Sequence, residues 1–453
     1  MARRRRATGD IAAEIRALAP LGISQLRAGR LDEAGQTLER ATALAGQHPE
    51  LPPLVRADAW NSFGVRATDM GQLEPARDAL QHALALRREA GAADEIIAST
   101  VHNLALVERR AGRLEQAIEL FAQALDLKRE SIGRLHPSYI LSLNGRAVSL
   151  RQLGRYVEAT DHATEALEIR KQLYGSEHPS LHAGYNELAN AHHDLGEFEQ
   201  AIELYRKALE LEARSTSRRS DWIYLNNLGA AFEDRGELAR AERYYRQSIE
   251  RRRALFGDHH SATLRARHNL ARVWLADGRI EQARVQCNEV LERRESELGP
   301  DHPDTVRSRV LDARIALAGM PADPARLRAL AAAVDALRQA LSLTSLAVLN
   351  ARTELGRAWL EAGDFRQART ELEAAAAAFR EALNADHPLA AAIELDLARI
   401  DQAQNRSDRA RQRLVEHGSD VRARFAPESL HVRKLDCLEA GANKPDCWRG
   451  TRG

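Results

Sequence analysis

The residues of this chain with the clearest chemical potential are histidines set among carboxylates. The octapeptide LGPDHPDT at 298–305 places His302 between Asp301 and Asp304, His192 and His193 precede Asp194, and Asp258 precedes His259 and His260. An imidazole beside a carboxylate can move a proton, and clustered imidazoles and carboxylates can hold a divalent metal. Adjacent histidines on a helix point about 100° apart, so a metal would need ligands from elsewhere, and none stands at metal-site spacing. No phosphate-binding glycine loop, HExxH, nucleophile elbow or kinase motif set is present. The expectation is therefore a protein that is not an enzyme, with no catalytic residues, no cofactor and no metal.

The histidine clusters are copies of one another. His-Pro recurs at His136, His178, His302 and His387, with His260-Ser261 a weaker copy; His136 to His178 and His260 to His302 are each 42 residues. A second marker keeps step with the first. RAGRLDEA, RAGRLEQA, QLGRYVEA, DLGEFEQA, DRGELARA, ADGRIEQA and EAGDFRQA each hold a glycine followed five residues later by alanine. Taking the glycine as origin gives Gly29, Gly71, Gly112, Gly154, Gly196, Gly236, Gly278 and Gly363, with Met320 and Asn405 supplying two more positions at the same spacing. Five residues after every origin stands alanine, and seven before stands glycine or alanine (Gly22, Gly64, Ala105, Ala147, Ala189, Gly229, Ala271, Ala313, Gly356, Ala398).

A period of 20–50 residues is the signature of a repeat array. Each unit reads as two helices. The first ends at the glycine, which suits a left-handed helix terminus, with Asn405 as the usual substitute. The second carries apolar residues at helical spacing, as in Ala117, Leu120, Phe121, Ala124 and Leu125. Small residues at −7 and +5 let the two helices approach closely. The His-Pro tag reads as punctuation: proline suits the first helical turn, and an acid there complements the helix dipole.

This pattern resembles the tetratricopeptide repeat (TPR), whose ordinary unit is ~34 residues. The longer unit of about 42, with DHP between repeats and YLNNLGAAFEDRGELARAERYY at 224–245, is similar to the kinesin light chain type. The resemblance covers roughly 11–425. It implies an all-α, right-handed α-solenoid of about ten TPR hairpins, preceded by a basic flexible tail (1–10) and followed by a capping helix and tail (426–453). Repeat eight has lost its glycine and gained PADP, and repeats one and ten are worn.

In that family the first helix of each repeat lines the concave face, so the resemblance puts residues 10, 6 and 3 before each origin in a groove. At −10 stand Asn61, His102, Asn144, Asn186, Asn226, His268 and Thr353; at −6 Asn190, Arg272, Arg357 and Arg399, with Arg66 beside them at −5; at −3 Arg109, Arg151 and His193. An Asn amide both donates and accepts, which suits a peptide main chain, and arginine's fork suits carboxylates. The expected partner is a protein or peptide of acidic character, held by Asn61, Arg66, Arg109, Asn144, Arg151, Asn186, Asn190, His193, Asn226 and Arg272. Asn103, Asn227 and Asn269, one residue later, are expected to bond between neighbouring repeats. The first functional reading is an interaction scaffold. The second is a sensory or regulatory module working with a kinase, an ATPase or a DNA-binding effector.

Composition agrees. Lys and Arg number 66 against 65 Asp and Glu, a net charge of +1, which argues against nucleic acid and anionic membrane as partners. No apolar run reaches the ~18 residues of a membrane span, and no apolar h-region follows the basic start MARRRRATGD. The expected location is cytoplasmic, or extracytoplasmic if Cys437 and Cys447 form a disulfide. Cys287, at +9 of repeat seven, is expected in the core. Oligomeric state is not legible.

Overall fold

Glycine carries the turn of every repeat but two, and the chain bends where it stands. A computed structural model describes residues 2–215, 220–318, 323–341, 345–382, 387–427 and 429–441, giving backbone alone for 2–9 and 382. Twenty helices pair as ten hairpins: α1 and α2 (Ala2–Arg27, Leu31–Gln47), α3 and α4 (Pro53–Asp69, Leu73–Glu89), α5 and α6 (Asp94–Arg110, Leu114–Ser131), α7 and α8 (Pro137–Leu153, Tyr156–Tyr174), α9 and α10 (His182–Asp194, Phe198–Ala213). There follow α11 and α12 (Asp221–Arg235, Leu238–Phe256), α13 and α14 (Ser261–Ala276, Ile280–Leu298), α15 and α16 (Pro303–Ala318, Pro324–Ala340), α17 and α18 (Leu346–Glu361, Phe365–Ala382), and α19 and α20 (Pro388–Ala403, Ser407–Arg424). A last helix, α21 (Leu430–Glu439), caps the stack. No strand occurs among the described residues. The fold is the expected all-α solenoid of hairpins.

Eight of the described bends close in the same way. Gly112 has φ +76, and the N–H of Arg113 reaches back to the Glu108 carbonyl at 2.9 Å, the bond that satisfies an orphan carbonyl at a helix C-terminus. Asn405 does the same at φ 60. The tag histidines close the other end. In His136, His178, His260, His302 and His387 the ring Nδ1 accepts the backbone N–H two residues on, at 3.1–3.2 Å. The histidine of LGPDHPDT is thus a helix cap, and its neighbouring proline starts the helix.

One expectation meets a correction here, and two others fall on residues outside the described ones. Residues 2–10 of the basic stretch fall within α1, which runs from Ala2 to Arg27; arginine and alanine are strong helix formers. The bend assigned to Met320 lies outside the described residues. In the other nine repeats the second helix starts two residues after the bend, whereas α16 starts at Pro324, four after Met320. Asp323 caps it, accepting from the N–H groups of Ala325 and Arg326 at 2.8 and 3.3 Å, and Pro324 sets its first turn. Ala325 is consequently exposed, and Leu327 is buried instead. Finally, Cys447 lies outside the described residues. Cys287 is buried, as expected.

The small residue at −7 sits under the large one at +9 of its own hairpin. A Cβ built on Gly64 would lie 2.6 Å from Leu80 Cγ, and one on Gly229 would lie 2.7 Å from Tyr245 Cδ1. Contacts separate the chain into two compact units: residues 1–150 with 168–173, and residues 151–167 with 174–453. The second unit coils back on itself. Tyr156, just past the bend of repeat four, is buried in one apolar cluster with Leu349 and Leu372 of repeat nine. The bend of repeat five meets the start of α19, where a Cβ on Gly196 would lie 2.3 Å from Pro388 Cδ. The bend of repeat six meets the segment before α21: the Ala426 N–H donates to the Arg235 carbonyl at 3.1 Å, and Gly236 faces Ser429. Three successive bends therefore seat on three successive joints five repeats further along. We call this contact the clasp.

The clasp makes a prediction that separates backbone strain from packing. Gly112 and Gly196 share the same left-handed backbone, but nothing lies within 4 Å of a Cβ on Gly112. Gly196→Asn should destabilise the protein by about 1–3 kcal/mol more than Gly112→Asn in urea unfolding, because its side chain must displace Pro388. Equal midpoints for the two variants would show that the clasp carries no packing energy.

Candidate protein-interaction surface

The first helices of the repeats place their −10 side chains one above another, and the −9 asparagines bind this column together. Asn103 Nδ2 donates to Asn61 Oδ1 at 3.3 Å in the first unit. In the second, Asn227 donates to Asn186 at 2.9 Å and to Asn190 at 3.2 Å, and Asn269 donates to Asn226 at 3.3 Å. The carbonyl oxygens of these −10 amides are thus used within the array. Their NH2 groups are not well used: Asn186 Nδ2 has Glu187 at 3.4 Å, and Asn226 Nδ2 has Asn227 at 3.4 Å. Asn186 and Asn226 are 6% and 9% exposed, so they form the floor of the inner surface. Asn144 is half-buried, with an Oδ1 that is buried and has no hydrogen-bond partner.

The cationic residues are arranged differently from the expectation. Arg66 turns back onto α2, where it lies over Gly35 and pairs with Glu39 at 3.5 Å, so it leaves the inner column. Asn190 accepts from the Tyr205 hydroxyl at 2.7 Å on its own hairpin's second helix. Arg151 pairs with Asp194 at 2.5 Å, His193 with Asp234 at 3.0 Å, and Arg272 with Glu233 at 2.7 Å. These three do not wait for an outside carboxylate. Positions −2 and −3 of the following or preceding repeat supply one, because an uncompensated charge on an enclosed surface is costly. Arg109 is half-buried beside His102, in whose electrostatic environment it takes part.

The ion pairs leave their mark on proton affinities. Burial alone would lower His193, but its bond to Asp234 outweighs this and raises it above 6.5. Burial would raise Asp234, and His193 brings it down. Glu233 is raised by burial against the pull of Arg272. Arg151 and Arg272 are raised, their carboxylate partners overcoming burial.

One constellation that the sequence reading overlooked has a catalytic look. Lys128 Nζ donates to Ser142 Oγ at 2.8 Å and to the Ser138 carbonyl at 2.8 Å, while His102 Nδ1 lies 3.0 Å from the same Oγ. Burial lowers Lys128 to about 8 and His102 to about 3. A hydroxyl between a lowered lysine and an imidazole is how a nucleophile is activated. The arrangement recurs, however, with Arg294, Ser308 and His268: Arg294 donates to Ser308 at 2.8 Å and to the Asp304 carbonyl at 2.9 Å, and Ser308 lies 3.4 Å from His268. Arginine cannot serve as a base. Both are copies of an inter-repeat strap, in which a cation 16 residues after the bend ties down the first turn of the next repeat. The signal was legible as a column in the middle repeats: Arg87, Lys128, Arg170, Arg252 and Arg294 stand at +16 of repeats two to seven, where Glu212 is the exception, while the outer repeats carry Ala45, Ala336, Phe379 and Val421. A second strap joins +6 to −4 of the next repeat, as in Arg77 with Glu108 at 2.8 Å and Arg369 with Asp401 at 2.5 Å.

Among the described residues no group of three or more His, Cys, Asp or Glu could hold a metal ion, and no helix is long and apolar enough to cross a membrane.

Comparison with known proteins agrees with this geometry. Tetratricopeptide repeat families match at residues 15–40, 55–130, 95–171, 138–212, 221–285 and 348–389. The chain belongs to the tetratricopeptide repeat family. A putative kinesin light chain from Podosopora anserina, with nearly identical TPR-like repeats, is 24% identical over 45% of this chain and 96% of that one, with a TM-score of 0.39. A Rap protein complexed with Competence and Sporulation Factor is 14% identical over 82% of this chain and 99% of that one, with a TM-score of 0.63. NprR in complex with its cognate peptide NprX is 13% identical over 79% and 99%, with a TM-score of 0.52. A search of curated protein sequences gives no match.

Two predictions follow from the pairs. The His193–Asp234 bond favours the imidazolium, so its contribution to stability is present below pH 6.5 and is lost as pH rises through the raised folded value. In an NMR titration the His193 midpoint should lie above 6.5 and fall below it in Asp234→Asn, where burial acts unopposed. A midpoint that Asp234→Asn leaves in place would remove the pair. At the strap, Lys128→Arg should change stability by less than about 1 kcal/mol, whereas Lys128→Met should cost about 1–3 kcal/mol by orphaning Ser138 and Ser142. If both variants melt alike, the strap is not structural.

Proposed function

We propose that this protein is an interaction scaffold that takes an extended peptide segment of a partner on its inner surface. The observation that carries the reading is the −10 amide column: the oxygens of Asn61, Asn186 and Asn226 are spent on the ladder, while the NH2 groups of Asn186 and Asn226 have only 3.4 Å partners. Peptide carbonyls are the natural acceptors for a row of such donors. The fold supports the same class of ligand: among the structures it resembles, NprR, at 13% identity, is in complex with its cognate peptide NprX.

A second reading makes peptide binding a signal, relayed to a kinase, an ATPase or a DNA-binding effector. The clasp favours it, since a unit coiled on itself has two states to choose between, clasped and unclasped.

The test is selection of short random peptides from a displayed library against the full chain. Peptides recovered on the wild type should bind the triple variant Asn144→Ala, Asn186→Ala, Asn226→Ala at least about tenfold more weakly, the loss of roughly 1.4 kcal/mol. Circular dichroism should show an unchanged helix content. Undiminished affinity in the triple variant would sink the inner-surface reading.

A further inference from the structure

Five tag histidines cap a first helix in the same way, and one of them is buried. His136 is half-buried, and His178, His260 and His302 are exposed. His387 is 2% exposed. The cap does not distinguish them, because in each the ring Nδ1 accepts the backbone N–H two residues on. The clasp does. The bend of repeat five seats on the joint that His387 and Pro388 form, and a Cβ on Gly196 would lie 3.2 Å from His387 Nε2.

The contacts of this ring fix where its proton sits. Nδ1 accepts from the Leu389 N–H at 3.2 Å. The single proton of the neutral ring is therefore on Nε2, from which it is donated to the Asp194 backbone carbonyl. The Phe379 ring stacks on one face with its centroid 5.3 Å away. A second proton would have to enter at Nδ1, where it would point at the Leu389 N–H and abolish the cap.

The charge would also lack a counter-ion among the described residues. The groups that act on His387 are His193 and the Asp194 carbonyl from α9, Asp234 from α11 and Arg424 from α20. The carboxylate of Asp194 is engaged by Arg151 of α7 at 2.5 Å, and that of Asp234 by His193 at 3.0 Å. An imidazolium at this joint would thus face a second imidazole and a guanidinium, with both neighbouring acids already paired. Burial, with the push of these cations, lowers His387 to about 3.

We infer that the clasp is an acid-sensitive latch, closed while His387 is neutral and opened when its ring takes a second proton. Once unclasped, the ring meets water and protonates near its ordinary 6.5, whereas in the closed clasp it resists protonation to far lower pH. The closed state is therefore favoured in full above 6.5 and loses that preference as the pH falls below it. A proton on an exposed tag histidine removes one helix cap. On His387 it removes the cap together with the contact between the bend of repeat five and the start of repeat ten. The latch acts within the second unit and does not depend on what the inner surface binds.

The test is small-angle X-ray scattering of the full chain, with circular dichroism, from about pH 7.5 to about pH 4.5. The wild type should expand as the pH falls, with its helix content unchanged. His387→Asn keeps a capping acceptor that does not titrate, and its expansion should begin at least about one pH unit lower. His302→Asn makes the same exchange at an exposed tag and should expand with the wild type. If His387→Asn lacks the wild-type helix content at about pH 7.5, the smaller cap of His387→Ser takes its place. The inference is overturned if the wild type stays compact, or if it expands only as helix is lost. It is equally overturned if the His387 variant expands at the same pH as the wild type, or if His302→Asn delays expansion as much.

Discussion

The array depends on one short contact: a side chain no larger than a methyl group at −7, beneath the residue at +9, which is leucine, phenylalanine or tyrosine in seven repeats and Ala163, Cys287 and Ala329 in the others. Where −7 is glycine, there is no room for even a Cβ unless the large residue shifts, as at Gly22 under Leu38 and Gly356 under Leu372. The large side chain is buried by its own hairpin partner and then by the next repeat, so a single hairpin cannot finish its own core. Phe121 illustrates both roles: it is fully buried with Ala105 of its own repeat, and it fills the place a Cβ on Gly145 of the next would take. Helix spacing within a repeat and stacking between repeats are set by the same atoms.

That geometry leaves the ends of the helices to be settled by polar groups, and here the frame repeats with equal regularity. The tag histidine caps the start of a first helix, and the residue after each bend glycine closes its end. The +16 cation then reaches carbonyls in the first turn of the following repeat. These bonds matter because stacked helix termini would otherwise bury unsatisfied groups. They also explain why residues that invite a catalytic reading, a histidine among aspartates or a lysine on a serine, occur several times in equivalent places.

How much was legible follows from the same logic. Features that obey the period could be read from the chain alone: the bends, the small residues, the tags, the −9 asparagine bonds. The +16 and +6 columns obey it too and were open to the same reading. Repeat eight was misplaced because the Asp323-Pro324 cap restarts its second helix two residues late, a local rule overriding the period. The carboxylate partners of Arg66, Arg151, His193 and Arg272 were not legible, since a pair between side chains of different helices is a contact, not a pattern. The clasp had no signal at all. Gly196 and Gly236 look like every other bend glycine, and what distinguishes them is that Pro388 and Ser429 arrive from five repeats away.

The clasp accounts for the different charge patterns of the two units. Where the chain coils back on itself, the inner surface is enclosed by protein on several sides, and an unpaired guanidinium there would lose its hydration without replacement. The second unit meets that constraint by setting an acid against each inward base, down to Asp396, which is 1% exposed and held by Arg357 and Lys434 together. Asp396 is driven well below the usual carboxylate range, because the two cations overcome the burial that would raise it. Among the described residues the first unit shows no such contact between distant bends and joints, and its inner arginines Arg16 and Arg27 stay in water. Water is what permits them to remain unmatched. One repeat frame thus yields a stretch where inward charges are paired within the fold and a stretch where Arg16 and Arg27 stay in water.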